Sequence, residues 1–227
     1  MDEFKIYLNN LEKCVGNYDL YINLVLQNKE YKNIIDIQDK IKEELNKENL
    51  YFTISNNKGL DIGGFLTSLD KMFELKKRYE SIIKIHTKTN DSWRFAMLYA
   101  LLGSEKIIKN NLNLIKNPKI GMIGNTVFKI NFNNKTNVIK LLNDYMKKFK
   151  ISQNIGCDFI PGTIFWMKGN ILEKYLNRKI INELYNEFKP NYCGLINEKT
   201  EGKPHAFERL FGVFVKSVGM KVVKFDT

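Results

Sequence analysis

The stretch SIIKIHTKTNDSWR, from Ser81 to Arg94, begins like a buried β-strand and ends in a polar loop that leads into a helix. Lys84, His86 and Lys88 occupy alternate positions in it, and alternate side chains of a strand point to the same face. Three cationic or potentially cationic groups on one face of an apolar strand indicate an anionic ligand at its end. The structural alternative is a histidine held in the fold, beside lysines that reach from the sheet edge into water.

The charge balance of the chain is strongly basic. Its 36 lysines and arginines outnumber 25 aspartates and glutamates, which gives a formal net charge of +11. Polyanions, phosphorylated small molecules and anionic membrane surfaces are therefore candidate partners. Lysine, asparagine and isoleucine are abundant throughout, so most lysines are expected to lie on a solvated surface. No RNA- or DNA-binding motif is recognised, and we expect no specific nucleic-acid partner.

The size and the cysteines of the chain indicate a compact protein in a reducing compartment. With 227 residues, of which 44% are hydrophobic, the chain can fill a substantial core. Cys14, Cys157 and Cys193 are odd in number and lack C-x-x-C spacing, which supports neither a disulfide framework nor a zinc ribbon. No apolar run approaches the roughly 18 residues of a membrane span, and the N-terminus lacks a signal-peptide pattern. We expect a cytoplasmic protein that can still contact a membrane peripherally.

Strand-like and helix-like segments alternate along the first half of the chain. Strand patterns cover 18–26, 49–55, 81–87 and 119–124, and helical spacing covers 30–45, 63–79, 91–103 and 104–117. Gly103 is predicted to end the third of these helices and Ser104 to cap the fourth. After Gly124 the pattern is less regular, with an amphipathic helix over 138–150 and an apolar run over 157–168 that Pro161-Gly162 interrupts. This order predicts an α/β fold with an open, mixed, mainly parallel sheet flanked by helices.

In a sheet of this kind, ligands bind in the crevice beyond the carboxyl ends of the strands. The second strand ends in NNKGLDIGG, residues 56–64, where Asn57 and Asp61 can hydrogen-bond a base or ribose. Gly59 in the same turn lets the backbone approach a ligand closely. Glycine-rich turns often do no more than reverse the chain, so a ligand-binding role for residues 56–64 depends on further polar groups nearby.

The end of the third strand supplies those neighbours. His86 and Lys88 follow the apolar part of that strand, and Arg94 lies about two helical turns further on. A phosphate-bearing ligand between the two loops would meet hydrogen-bonding groups on one side and cations on the other.

Six short segments of the chain form an ordered set: NNKGLDIGGFL (56–66), YESIIKIHTKTNDSWR (79–94), LLGS (101–104), NPKIGMIG (117–124), PGTIFWMKGNIL (161–172) and HAFERLF (205–211). In this order they resemble the rhamnan synthesis F-type proteins. The resemblance runs from about Tyr51 to Phe211. It implies a glycosyltransferase of cell-surface polysaccharide assembly that takes L-rhamnose from a nucleotide diphosphate sugar, with a glycan or lipid-linked glycan as the acceptor.

The same segments are similar to the GT-A fold of inverting glycosyltransferases. The sequence contains no linker, internal repeat or low-complexity segment, which predicts one domain over 1–227. With the resemblance, 1–124 is expected to bind the nucleotide sugar and 125–227 to hold the acceptor and the catalytic base. Transferases of polysaccharide assembly are often modules of larger systems, so partner transferase modules are also expected.

One substitution relative to GT-A enzymes bears on the question of metal. Where those enzymes hold Mg²⁺ or Mn²⁺ with Asp-x-Asp, this chain has His86-Thr87-Lys88, preceded by Lys84. Cationic side chains repel a hard divalent ion, so no metal and no other cofactor is expected. Lysine, arginine and protonated histidine can stabilise the departing diphosphate instead. The resulting donor-binding set is Asn57, Gly59, Asp61, Lys84, His86, Lys88 and Arg94.

An inverting transfer also needs a carboxylate that takes the proton of the acceptor hydroxyl. In the GT-A enzymes this base precedes a helix-ending glycine, and counting back eleven residues from Gly219 reaches Glu208. Asp158 is the reserve base. The structural alternative is an ion pair of Glu208 with its neighbour Arg209.

Two further residues are candidates for the acceptor side. His205, three residues before Glu208, can orient it or contact the acceptor, and Trp166 can stack on a sugar, although such aromatics are more often core. The chain reads Glu201-Gly202-Lys203-Pro204 where the family commonly has an Asp-Gly-Thr-like element. The acceptor and a strict rhamnose assignment therefore stay open. The alternative function is a non-catalytic module of the same fold that binds sugars or polyanions.

Overall fold

The computed structural model of the protein describes residues 2–26, 31–87, 90–126, 136–190 and 202–225. The helices in these ranges are α1 (Asp2–Val15), α2 (Tyr31–Leu45), α3 (Leu60–Glu74), α4 (Asp91–Leu102), α5 (Glu105–Lys116), α6 (Thr136–Lys148), α7 (Gly169–Tyr175), α8 (Arg178–Glu187) and α9 (Lys203–Ser217). The strands are β1 (Leu20–Leu26), β2 (Leu50–Asn56), β3 (Ser81–Lys84), β4 (Ile120–Asn125), β5 (Phe165–Lys168) and β6 (Lys221–Phe225).

The strands form two sheets. β1 and β2 pair in parallel, with Leu20 opposite Leu50 and Leu26 opposite Asn56. The larger sheet has the order β3-β5-β4-β6, in which β5 is antiparallel to both of its neighbours and β6 is parallel to β4. The predicted α/β class with helices packed on mixed sheets is confirmed. The prediction of one open, mainly parallel sheet is wrong for the described residues. β1 and β2 form a sheet of their own, and β5 runs antiparallel to both of its neighbours.

The predicted elements of the first half mostly agree with the structure. Strands predicted over 18–26, 49–55 and 119–124 correspond to β1, β2 and β4, whereas the third strand ends at Lys84, three residues early. The helices α1, α7 and α8 were not predicted. Most of the polar stretch after Gly124 lies outside the described residues.

Local hydrogen bonds explain where α4 and α5 begin and end. The Asn90 side chain accepts a hydrogen bond from the Trp93 amide at 2.8 Å, which caps α4. Gly103 ends this helix, and the Ser104 hydroxyl accepts from the Ile107 amide at 3.3 Å to cap α5. The caps predicted at Gly103 and Ser104 are thus confirmed.

The buried helix α9 lies at the centre of the core. Every residue from Ala206 to Val215 is buried, as expected for a helix that is apolar around most of its circumference. Its aromatic rings pack against several elements, including a stack of Phe214 on Tyr175 with ring centroids 4.3 Å apart. A helix surrounded in this way offers rigid support to the few polar side chains that it carries.

Gly212 sets the distance between α9 and the loop that precedes β5. A Cβ atom at this position would lie 1.7 Å from the carbonyl oxygen of Asp158. The two backbones are therefore in direct contact, which a residue with a side chain would prevent. This contact holds the segment after Asp158 against the middle of α9.

Strands from both predicted halves of the chain share the larger sheet, since β3 and β4 pair with β5. The single domain over 1–227 and its division at residue 124 stay predictions. In the described ranges, none of the helices has the length and apolar character needed to cross a bilayer. The cytoplasmic location and the peripheral membrane contact also stay predictions.

Replacing Gly212 with alanine should destabilise the protein, because the new methyl group overlaps the Asp158 backbone and α9 must move away. We expect a loss of about 1–3 kcal/mol in the free energy of unfolding, measured by urea denaturation. Gly156→Ala is the matched control, since its added Cβ would meet only the Lys216 ammonium at 3.4 Å. Equal stability of the two variants would contradict the close approach described here.

Candidate functional site

A tight turn between the buried loop and β5 forms the middle of the site. Gly162 and Thr163 both adopt left-handed backbone conformations, with φ of 79° and 54°. Glycine adopts this region readily, whereas a β-branched residue such as threonine rarely does. Backbone strain of this kind persists only where the surroundings hold it, and it is common at functional sites.

Lys84 and Asp61 form a buried ion pair against this turn. The Lys84 ammonium lies 2.5 Å from Asp61 Oδ2, 2.9 Å from the Thr163 hydroxyl and 3.0 Å from the Thr163 carbonyl oxygen. The Thr163 hydroxyl also donates to Asp61 Oδ2. All three ammonium protons therefore have protein acceptors, and only 3% of Lys84 is exposed.

The surroundings of this pair keep the aspartate ionised. Burial alone would raise the pKa of Asp61, but the charges of Lys84 and His86 and the hydrogen bonds from Lys84 and Thr163 hold it well below its usual range. Burial lowers the pKa of Lys84, and the charge of Asp61 opposes that change. Asp61 is therefore a carboxylate at neutral pH.

His86 contacts the same group of residues from the surface side. Its Nδ1 lies 2.8 Å from the Thr87 carbonyl oxygen, and its Nε2 lies 2.7 Å from the Gly162 carbonyl oxygen. Carbonyl oxygens only accept, so both contacts are satisfied together only by the doubly protonated imidazolium. Asp61 Oδ2 lies 3.5 Å from Nε2, which favours that cation. Two cations then surround one carboxylate, and the cluster is net positive.

Glu208 binds the other side of the turn. Its Oε1 accepts a hydrogen bond of 2.5 Å from the Gly162 amide. Its Oε2 lies 3.6 Å from Arg209 Nη1 and 3.7 Å from His205 Nδ1. Glu208 is only 9% exposed. The predicted catalytic residue and the predicted phosphate-binding histidine thus contact the same residue, Gly162, through its N–H and its carbonyl group.

The structure changes the roles expected for Lys84 and Asp61. The prediction that Lys84 contacts donor phosphate is wrong, because the ammonium is buried and its protons are occupied. The Asp61 carboxylate neutralises Lys84, so it does not stand free for a base or ribose. β3 ends at Lys84, and His86 reaches the cluster from a loop rather than by strand alternation. Lys88 lies outside the described residues.

The remaining donor-side candidates lie apart from these contacts. Asn57 is half-buried in the loop between β2 and α3, and Gly59 precedes α3 with its Cα against the Phe188 ring. Arg94 pairs with Asp91 on α4 at 2.9 Å. Their binding of a donor stays a prediction.

The acceptor-side and reserve candidates have different surroundings. Trp166 is 1% exposed in the core, so the predicted stacking on a sugar is wrong for this structure. Asp158 is paired with Lys224 on β6, and 32% of its side chain is exposed. His205 is half-buried beside Glu208, as its spacing on α9 predicts.

Sequence reasoning missed Thr163, which bonds both members of the buried ion pair. A signal was present, because a hydroxyl residue directly follows a Pro-Gly turn and directly precedes an apolar strand. Its left-handed conformation and its partners from α3 and β3 are tertiary features that no local pattern contains.

Across the described ranges, histidine, cysteine, aspartate and glutamate do not gather in groups of three or more that could hold a metal ion. Metal independence stays a prediction, which rests on the chemistry of the residues at positions 84–88.

The family model described as rhamnan synthesis protein F matches residues 1–218 of this chain. The match confirms the resemblance found in six segments and extends it to the N-terminal helix α1. The curated proteins and the solved structures that were compared with the chain gave no match.

Asp61→Asn should reveal the buried ion pair through the pH dependence of stability. The folded-state pKa of Asp61 lies below its ordinary value near 3.8, so its contribution is complete above that pH and is lost as the pH falls. Removing the carboxylate leaves Lys84 without its counter-charge, and we expect a cost of about 3–5 kcal/mol at neutral pH.

The measurement is urea unfolding of the wild type and Asp61→Asn at several pH values from neutral to about pH 2.5, where the difference should shrink. Asp39→Asn is the control, because Asp39 pairs with Lys42 on the surface. A difference between wild type and Asp61→Asn that stays constant with pH would contradict the ion pair.

Proposed function

We propose that the chain, which belongs to the rhamnan synthesis protein F family, is an inverting glycosyltransferase that works without a metal ion. Membership gives the chain a glycosyltransferase-type role in polysaccharide synthesis. The finer proposal is transfer of a sugar, L-rhamnose in the first instance, from a nucleotide diphosphate donor to a glycan or lipid-linked glycan.

The net positive cluster supports the donor side of this proposal. As the glycosidic bond breaks, the leaving nucleotide diphosphate gains negative charge, and fixed cations stabilise it. His86 is the more exposed of the two cations in this cluster, with 16% of its side chain accessible. Both of its ring nitrogens contact carbonyl oxygens, so it would act on a diphosphate through its charge. Lys84 acts behind it by fixing Asp61, whose carboxylate favours the imidazolium.

Glu208 supports the acceptor side. In the proposed step, the acceptor oxygen attacks the anomeric carbon, its proton passes to Glu208, and the nucleotide diphosphate leaves with the electrons of the broken C–O bond. The Gly162 amide holds Oε1 at 2.5 Å, which orients the carboxylate. Arg209 Nη1 and His205 Nδ1 lie 3.6 and 3.7 Å from Oε2 on the other side of the carboxylate.

The observation that carries the proposal is the shared contact with Gly162. The Gly162 N–H bonds the Glu208 carboxylate, which is suited to proton transfer. The Gly162 carbonyl oxygen bonds His86, a cation suited to a diphosphate. Asp158 is the weaker candidate for the base, because it forms a partly exposed ion pair with Lys224 instead.

Glu208→Gln should separate catalysis from binding. The amide keeps the shape of the side chain and an acceptor for the Gly162 N–H but loses basicity, so we expect a decrease of about 10²-fold or more in transfer rate. Affinity for the nucleotide sugar should not change. The measurement is transfer kinetics with a competent donor and acceptor, together with donor titration by calorimetry.

Asp158→Asn is the matched variant in these kinetics, and it should retain most of the activity. Collapse of Asp158→Asn with near wild-type turnover of Glu208→Gln would move the base to Asp158. Full activity of both variants would leave the proposed inversion without its base.

His86→Ala should weaken donor binding about tenfold, because the positive charge that would face the diphosphate is lost. The loss should be the same in EDTA as in added Mn²⁺, since the proposal assigns no metal to the diphosphate. Calorimetric titration of UDP- and dTDP-linked sugars measures both effects. Lys106→Ala, which removes an exposed cation from α5, is the control. Donor binding that occurs only with Mn²⁺ would contradict the proposed metal independence.

A further inference from the structure

A second concave region lies at the carboxyl ends of β1 and β2. These strands end opposite each other at Leu26 and Asn56, and both residues line the region. Its other walls are α3 and α8, which Arg178 joins through two hydrogen bonds to the Asp70 carboxylate, of 3.0 and 3.3 Å. We call it the α3–α8 cleft. Its volume is about 330 Å³, which suits a small ligand.

The α3–α8 cleft is separate from the Glu208 site. Asp61 points from the first turn of α3 toward β3 and the Thr163 turn. Thr67 and Asp70 follow it by six and nine residues on the same helix, which places Asp70 about half a rotation around the axis from Asp61. The two regions therefore use opposite sides of α3.

The polar groups of the cleft are rich in hydrogen-bond acceptors. The Ser55 hydroxyl donates to Asn23 at 2.8 Å, and the Thr67 hydroxyl donates to the Gly63 carbonyl oxygen at 2.9 Å. Both donors are therefore used inside the protein. Ser55 is buried and also bonds the Tyr185 side chain, whereas the half-buried Thr67 oxygen keeps lone pairs that a ligand can use. The Asp70 carboxylate, held in place by Arg178, adds further acceptors. Asn182, exposed on α8, can both donate and accept.

This chemistry selects a neutral ligand with many hydroxyl groups. Each sugar hydroxyl donates one hydrogen bond, which matches the acceptors of the cleft. A phosphate group, by contrast, only accepts hydrogen bonds, and the Ser55 and Thr67 hydroxyls already donate within the protein. Among the described residues that line the cleft, none is a lysine or an arginine. Tyr185, Ile54 and Ile181 supply the apolar surface on which a sugar ring packs.

We infer that the α3–α8 cleft binds a segment of the glycan acceptor, away from the reacting end. The inference rests on the proposed function, because it takes the acceptor to be a saccharide chain. A site on the far side of α3 would hold the growing chain while its end reaches Glu208.

The test uses ligand-observed NMR of the whole chain with an oligosaccharide of α-L-rhamnose, and with dTDP and UDP as separate probes. Asn182→Ala should weaken oligosaccharide binding about fivefold to tenfold, since it removes hydrogen bonds to hydroxyl groups. Asn182→Trp should abolish binding by filling the cleft, and its exposed position makes the larger side chain compatible with folding. Asn113→Ala, at an exposed position on α5, is the matched control and should bind like the wild type.

Nucleotide binding should be unchanged in all three variants. Oligosaccharide binding that survives Asn182→Trp, or that the wild type lacks, overturns the inference. Loss of dTDP or UDP binding in Asn182→Trp also overturns it, because the cleft would then be a nucleotide site.

These outcomes are independent of those for the proposed function. Active transfer that depends on Glu208, combined with oligosaccharide binding unaffected by Asn182→Trp, would refute acceptor binding in the α3–α8 cleft and support the proposed transferase activity. Suppose instead that the protein shows no transfer and no nucleotide binding, but loses oligosaccharide binding in Asn182→Trp. That result would support saccharide binding in the α3–α8 cleft and refute the proposed transferase activity.

Discussion

The buried ion pair of Lys84 and Asp61 is the constraint on which the site depends. Removing two charges from water costs several kcal/mol for each ion, and a pair tolerates this only when its remaining donors and acceptors are also bonded. Thr163 meets that requirement with its hydroxyl and its carbonyl oxygen. Because these residues come from β3, α3 and the turn before β5, satisfying one ammonium group brings three distant segments of the chain together.

The turn that satisfies this pair also organises the chemistry around it. The Gly162 amide bonds Glu208, and the Gly162 carbonyl group bonds His86. The distance between Glu208, the candidate base, and His86, the candidate phosphate-binding residue, is therefore set by the covalent geometry of Gly162. Gly212 stabilises this turn indirectly. Because it has no side chain, the α9 backbone contacts the loop at Asp158 that leads to the turn. The arrangement places the Glu208 carboxylate, held by a hydrogen bond, beside the His86 ring.

The residues that were predicted from local pattern agree with the structure where one element suffices. Ser104 caps α5 and His205 lies beside Glu208 on α9, because capping and helical spacing involve only neighbouring residues. Trp166 was assigned to the acceptor side although such aromatics are more often core, because its local sequence does not show which elements cover the ring. Lys84 was misjudged for a similar reason, since strand alternation gives the face of a side chain and not what already covers that face.

The sequence by itself determined the family, the α/β class, the order of most helices and strands, and the gathering of cationic groups after the third strand. These properties follow from periodicity, capping residues and short motifs, all of which are local. Only the tertiary structure decided the antiparallel course of β5, the burial of Lys84 against Asp61 and Thr163, and the joining of Glu208 and His86 through Gly162. Each of these depends on contacts between residues about 20 to 100 positions apart in the chain, where packing and the desolvation of charge select one arrangement among many that the local pattern allows.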